Sequence, residues 1–161
     1  MKKFIIIISI FISLFAQETD VDIQADSFVS KQKENIIIFT GNVSMIKGED
    51  TLVCQQLIVH TQLEADTNQT VAKQYIATGN VSFTIRRPTT LLIGKGKKVN
   101  YDINKLLYII TGDAYLEDIN ASKTLSGEKI YINEKTGNTK IEGKKNEPVR
   151  FKFKMQSREK K

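Results

Sequence analysis

The sequence predicts an all-β fold, a sandwich, barrel or roll, and three observations predict it. Apolar residues recur with a period of two; turn-forming clusters interrupt them at short intervals; and Val, Ile, Thr, Tyr and Phe together far outnumber Ala and Leu. At 161 residues the chain suits one ordinary domain with a real core.

The first segment stands outside that core. MKKFIIIISIFISLFAQ places two lysines before an apolar run from Phe4 to Phe15 and then the small Ala16. This is the order of a secretory signal peptide, with cleavage expected after Ala16. The alternative, an uncleaved membrane anchor, needs about 20 apolar residues, more than the run supplies. No cysteine follows the expected cut, which disfavours a lipid-anchored form. The predicted organisation is therefore a signal peptide over 1–16, one β domain over 17–155 and a solvated basic tail over 156–161.

Within the domain, VDIQAD sets Val21, Ile23 and Ala25 against Asp20, Asp22, Gln24 and Asp26. VSFTI sets Val81, Phe83 and Ile85 against Ser82 and Thr84, and VNYDI sets Val99, Tyr101 and Ile103 against Asn100 and Asp102. Near the end, VRFKFKM sets Val149, Phe151, Phe153 and Met155 against Arg150, Lys152 and Lys154. Each reads as a strand with one apolar and one polar face. Turns are predicted at 47–50, 65–68, 86–88, 94–96, 102–105 and 134–138, and a short helix is possible only before Asp20 or around 63–68.

One phrase recurs: TGNV at Thr40, TGNV at Thr78 and TGDA at Thr111. Each copy follows apolar residues and is followed by an alternating strand, and spacings of this size mark stacked supersecondary units. The return strands are LVCQQLIVH, LLIGKGKKVNY and TLSGEKIYI. Glycine inside a strand marks a bulge or a bend, so the phrase is predicted to curve a sheet once per repeat. With Phe39, Gly41, Val43 and Met45 in alternation, the glycine is expected on the apolar face.

The charge excludes some functions. The overall +6 is uneven: residues 17–139 carry 13 basic and 15 acidic side chains, whereas 140–161 carry nine basic and three acidic. A near-neutral body with a basic tail does not resemble a nucleic-acid-binding face. The single cysteine, Cys54, lies in an apolar run and reads as a small buried hydrophobe. The single histidine, His60, stands six positions away at the same strand parity, about 20 Å distant if the strand is regular. No catalytic, metal or cofactor site assembles from these residues. Asp20, Asp22 and Asp26 lack a calcium-loop spacing, and GKGKK lacks the spacing and following helix of a phosphate loop. Asn-x-Ser/Thr occurs at Asn42, Asn68, Asn80 and Asn120; only Asn68 and Asn120 follow an acid two residues earlier, Asp66 and Asp118. That is the extended form some bacteria glycosylate.

Taken together, VDIQADSF, FTGNV, TLVCQQLIVHT, YDINKLLYIITGDAYLED and LSGEKIYINEKTGNTKIEG resemble the LptA (OstA-like) family of periplasmic lipopolysaccharide-transport proteins. The resemblance covers about 20–155 and is most specific over 101–132; Arg86-Arg87-Pro88 has no counterpart in it. It implies a twisted, open-ended β-jellyroll of two facing antiparallel sheets with an apolar slot between them. It further implies a periplasmic carrier that binds lipopolysaccharide by its lipid A and bridges the inner and outer membranes. Its partners would be an inner-membrane LptC-like protein, an outer-membrane LptD-like translocon and further copies of itself joined head to tail.

By that resemblance Val21, Ile23, Tyr101 and Ile103 face lipid, with Phe83 near a lipid-facing aromatic. The apolar alternation adds Phe39, Val43, Met45, Leu57, Val59, Val81, Leu116, Ile130 and Ile132 to the expected slot. Lys95, Lys97 and Lys98 are expected near its mouth, within reach of lipid A phosphates. For assembly, the edge strand bearing Asp20, Asp22 and Asp26 would pair with the one bearing Arg150, Phe151, Lys152, Phe153 and Lys154. Two readings compete: the membrane-anchored partner of the same pathway, and a β-sandwich binding module with no transport role.

Overall fold

The structure, a computed structural model, describes residues 19–155. The expected signal peptide and basic tail lie outside the described residues. The chain forms β1 (Val21–Gln24), β2 (Ser27–Lys31), β3 (Ile36–Lys47), β4 (Asp50–Leu63), β5 (Thr70–Arg87), β6 (Thr90–Asp102), β7 (Leu107–Asp118), β8 (Lys123–Asn133), β9 (Thr139–Glu142) and β10 (Arg150–Phe153). One turn of 3-10 helix, Gln32–Glu34, joins β2 to β3. Among the described residues nothing is long and apolar enough to cross a membrane as a helix.

All ten strands belong to one antiparallel sheet ordered β1-β3-β4-β5-β6-β7-β8-β10, with β2 also on β3 and β9 also on β8. The two facing sheets of a jellyroll are here two halves of that single sheet. What divides them is the repeated phrase. Gly41-Asn42, Gly79-Asn80 and Gly112-Asp113 all adopt the same pair of left-handed backbone angles, φ of 82–83° for the glycine and 44–48° for its neighbour. The register slips at each: Gly41-Asn42 oppose Gln55, Gly79-Asn80 oppose Lys97, and Gly112-Asp113 oppose Glu128. These two-against-one bulges align into a spine across the six long strands, and each bulge bends its strand there.

The glycines are therefore not on the apolar face, as strict alternation suggested. A Cβ on Gly41 would strike the side chain of Asp26, and one on Gly112 would lie 2.8 Å from Lys97 Cβ. Both neighbours are exposed and polar. Glycine is required because the bulge needs positive φ and because a neighbouring strand's polar side chain crosses it closely.

Each long strand thus contributes to two walls. The wall beginning at β1 and ending at β10 holds residues 43–47, 50–54, 81–87, 90–96, 114–118 and 123–127. The wall beginning at β2 and ending at β9 holds 36–40, 56–63, 70–78, 98–102, 107–111 and 129–133. The walls meet across the interior: Phe83 of the β1 wall stacks on Tyr108 of the β2 wall, ring centroids 6.1 Å apart. Leu57, Ile110 and Ile130 are completely buried between them.

Two further expectations are corrected. Gly94-Lys95-Gly96 is not a turn but the middle of β6. Phe83 sits directly opposite Gly94, and a Cβ there would collide with its ring. The glycine makes room for an aromatic from the adjacent strand. The possible helix around 63–68 is instead a turn in which the Asn68 N–H donates to the Glu64 carbonyl at 2.9 Å.

Candidate functional site

Directly opposed residues in an antiparallel ladder share a face, so the register lists what lines the interior. In the β1 wall one row crosses eight strands: Ile23, Met45, Leu52, Phe83, Gly94, Leu116, Leu125 and Phe151. In the β2 wall a second row runs Phe28, Phe39, Leu57, Ala77, Val99, Ile110, Ile130 and Ile141. A third, nearer the rim, runs Ile37, Val59, Tyr75, Tyr101, Tyr108 and Ile132. Strands lie about 4.8 Å apart, so each eight-residue row spans about 34 Å.

The two eight-residue rows are buried in the middle and each is uncovered at one end, while the other ends, Ile23 and Ile141, are half-buried against the core. Leu116 is 3% exposed and Ile110 0%, but Phe28 is 67% exposed and Phe151 53%. Phe151 and Phe153, both on β10, stack on each other at 5.2 Å rather than on the core. At the opposite end Phe28 stacks on Phe39 at 6.1 Å.

Between the walls lies a cavity of about 70 Å³. Met45, Leu52, Phe83 and Ile85 line it from one wall, and Tyr75, Ala77, Val99, Tyr101 and Tyr108 from the other. That volume suits a few water molecules and falls well short of the roughly 300–1,000 Å³ typical of small-molecule pockets.

A polar clasp closes the rim of this cavity. Arg87, at the end of β5, places Nη1 2.8 Å and 3.0 Å from the two carboxylate oxygens of Asp50. Its Nη2 donates to Glu134 Oε1 at 3.3 Å, crossing from the β1 wall to the turn beyond β8 in the β2 wall. Tyr101 Oη donates to the other Glu134 oxygen at 3.1 Å, and the Tyr101 ring stacks on Tyr108 at 3.9 Å. Hydrogen bonding to Asp50 raises the Arg87 pKa further, so the guanidinium stays charged. Burial, then the Glu134 charge, pushes the Tyr101 hydroxyl up to about 12, and burial likewise raises Tyr108. Both phenols keep their protons at neutral pH.

The sequence-predicted slot residues fall into three groups. Val43, Leu57, Val59, Val81, Phe83, Leu116, Ile130 and Ile132 are buried in the shared core. Ile23, Phe39, Met45, Tyr101 and Ile103 are half-buried against it, Ile103 from the turn after β6 rather than from the strand. Val21 is exposed on the outermost strand. Of the charged edge residues, Asp22 lies on β1, and Arg150 and Lys152 on β10; Asp20 and Lys154 flank those strands. Asp26 lies between β1 and β2, where it accepts a hydrogen bond from Asn42 at 2.9 Å. Lys95, Lys97 and Lys98 face outward, away from the rim, and Lys97 pairs with Asp113 on the spine at 3.1 Å. They are not at the slot mouth, because the inward positions of β6 are taken by Gly94 and Val99.

Sequence reading missed the clasp, although its signal was present. Val81, Phe83, Ile85 and Arg87 form one inward series, as do Ile130, Ile132 and Glu134. A charge that ends an inward-facing series is a rim residue. The bulge at Gln55 also reverses strand parity, so Cys54 faces inward while His60 faces outward. The thiol donates weakly to the Gln56 carbonyl at 3.3 Å, and burial pushes its pKa up to about 11. It is a packing residue.

Residues 22–138 match the family described as LptA/(LptD N-terminal domain) LPS transport protein. The fold is similar to that of LptH, the LptA homologous periplasmic component of the conserved lipopolysaccharide transport device from Pseudomonas aeruginosa. The two superpose with a TM-score of 0.72 over 84% of this chain and 96% of that one, at 13% identity, a likeness of fold alone. No curated protein matches the chain in sequence.

Proposed function

The chain belongs to the LptA/(LptD N-terminal domain) family of LPS transport proteins, and from that premise we propose that it holds lipopolysaccharide by its acyl chains between its two walls. The observation that carries this reading is the pair of apolar rows that cross the whole sheet, one emerging uncovered at Phe151 on β10 and the other at Phe28 on β2. An acyl chain of about a dozen methylenes costs roughly 10 kcal/mol to expose to water, at ~0.8 kcal/mol per CH₂. Rows of aliphatic and aromatic side chains lower that cost without fixed hydrogen bonds, so the lipid is held and still slides. The protein acts as a carrier that makes and breaks no covalent bond, and it works in the periplasm after export.

The cavity as it stands is too small for cargo, so the walls must part further at the rim. Opening rotates them about the spine and separates Arg87 from Glu134. The anionic phosphates of lipid A can then replace the carboxylates as partners for Arg87.

Head-to-tail assembly follows the same rows. β1 and β10 are the two outer strands of one wall, and β2 and β9 those of the other. If β10 of one copy pairs with β1 of the next, Phe151 meets Ile23 and the row continues. The β2 wall continues in the same way, from Ile141 to Phe28. Asp20 and Asp22 against Arg150, Lys152 and Lys154 favour this joining over like-with-like contact. The terminal copies would meet the LptC-like and LptD-like partners.

Ile23→Asp and Tyr101→Glu test the cargo site. Each should fold and lose copurifying lipid A, measured by mass spectrometry of a solvent extract. Undiminished lipid A in both would rule out the slot.

A further inference from the structure

The four Asn-x-Ser/Thr sites divide in two by both sequence and place. Asn42 and Asn80 are bulge residues inside β3 and β5, each with a threonine two positions earlier. There the flanking backbone is tied into the ladder on both sides, and the Asn42 amide already donates to Asp26. Asn68 and Asn120 lie in the turns joining β4 to β5 and β7 to β8, each with an aspartate two positions earlier. Both asparagines are exposed, as are the hydroxyl residues Thr70 and Ser122 that complete their motifs. Among the described residues, no hydrogen bond engages either side-chain amide.

We propose that Asn68 and Asn120 are acceptors for an N-linked oligosaccharide carried on a lipid diphosphate. The amide nitrogen attacks the anomeric carbon of the donor. A nitrogen–carbon bond forms as the carbon–oxygen bond to the diphosphate breaks. The bonding electrons leave with the lipid diphosphate, and the amide nitrogen gives up one proton. A transferase must bend the acceptor around the asparagine, which a turn permits and a strand held in a ladder does not. The carboxylate at the second position before it offers a fixed anion for a cationic subsite on that enzyme.

The positions also suit an assembling protein. Both turns join interior strands, so a sugar on either leaves the outermost strands of both walls free. One turn ends the β2 wall and the other the β1 wall, so each wall would carry one glycan on its rim.

The test is the mass of the full chain recovered from the envelope of its native cells, with tandem mass spectrometry of its peptides. The expected result is added hexose or aminosugar mass on the peptides holding Asn68 and Asn120 and none at Asn42 or Asn80. Thr70→Ala and Ser122→Ala should each remove one adduct while leaving the asparagine in place. Asp66→Ala and Asp118→Ala should lower occupancy at their own sites at least tenfold. A bare polypeptide mass, equal modification of Asn42 or Asn80, or occupancy that ignores the aspartates would each overturn the proposal.

Discussion

Phe83 and Phe151 occupy the same row of the same wall, yet one is 4% exposed and the other 53%. Between them the environment changes while the residue type and its alternation do not. Interior strands have a neighbour on each side and a wall opposite, so their inward side chains form a close-packed core. The short outer strands have one neighbour, and their aromatics stack within their own end. One pattern thus serves two purposes, stability in the middle and an adhesive surface at the ends. Large exposed apolar side chains mark an interaction site, and here the β2 end presents Phe28 and the β10 end presents Phe151 and Phe153.

This difference predicts a gradient of mutational effects. Ile110→Ala, in the centre, should cost about 3 kcal/mol of stability through cavity formation, read from the urea midpoint. A loss below about 1 kcal/mol would mean that the interior is slack and already open. Arg87→Ala, at the rim, should cost about 1 kcal/mol, because the guanidinium is nearly half exposed and its ion pairs are screened. Its larger effect should be on cargo: lipid A uptake should speed up as the clasp is lost. Unchanged or slower uptake would mean that Arg87 does not hold the walls closed. Smallest in stability is Phe151→Asp with Phe153→Asp, within about 0.5 kcal/mol of the parent. These two should abolish concentration-dependent oligomers in sedimentation, and oligomers that persist would detach the exposed rows from assembly.

Much of this fold was legible before any coordinates. Alternation in VSFTI and VNYDI identified strands and their inward faces, because a half-buried strand must alternate wherever it lies in the sheet. The glycine of each repeat was correctly read as a bend. Its face was not: Phe39 and Val43 keep one parity across the bulge, and it is the left-handed backbone at Gly41 that turns its Cβ direction out toward Asp26, which alternation cannot show. Gly94-Lys95-Gly96 was misread as a turn for a related reason: the ring that needs the space, Phe83, belongs to another strand. The clasp was legible in part. Arg87 and Glu134 end inward-facing series, but that they meet depends on the walls closing on each other, a relation between segments 47 residues apart.

The spine of bulges has a mechanical consequence. Six strands run through both walls, so the hinge is continuous backbone, and a swing at one strand passes to the next through the ladder bonds flanking the bulges. If the walls part as proposed, the two leaves would gape while the pairing within each stays intact, as a book opens without losing pages. Prising at one end then spreads across the full width. In a file of joined copies, each would hand its angle of opening to the next along with the cargo.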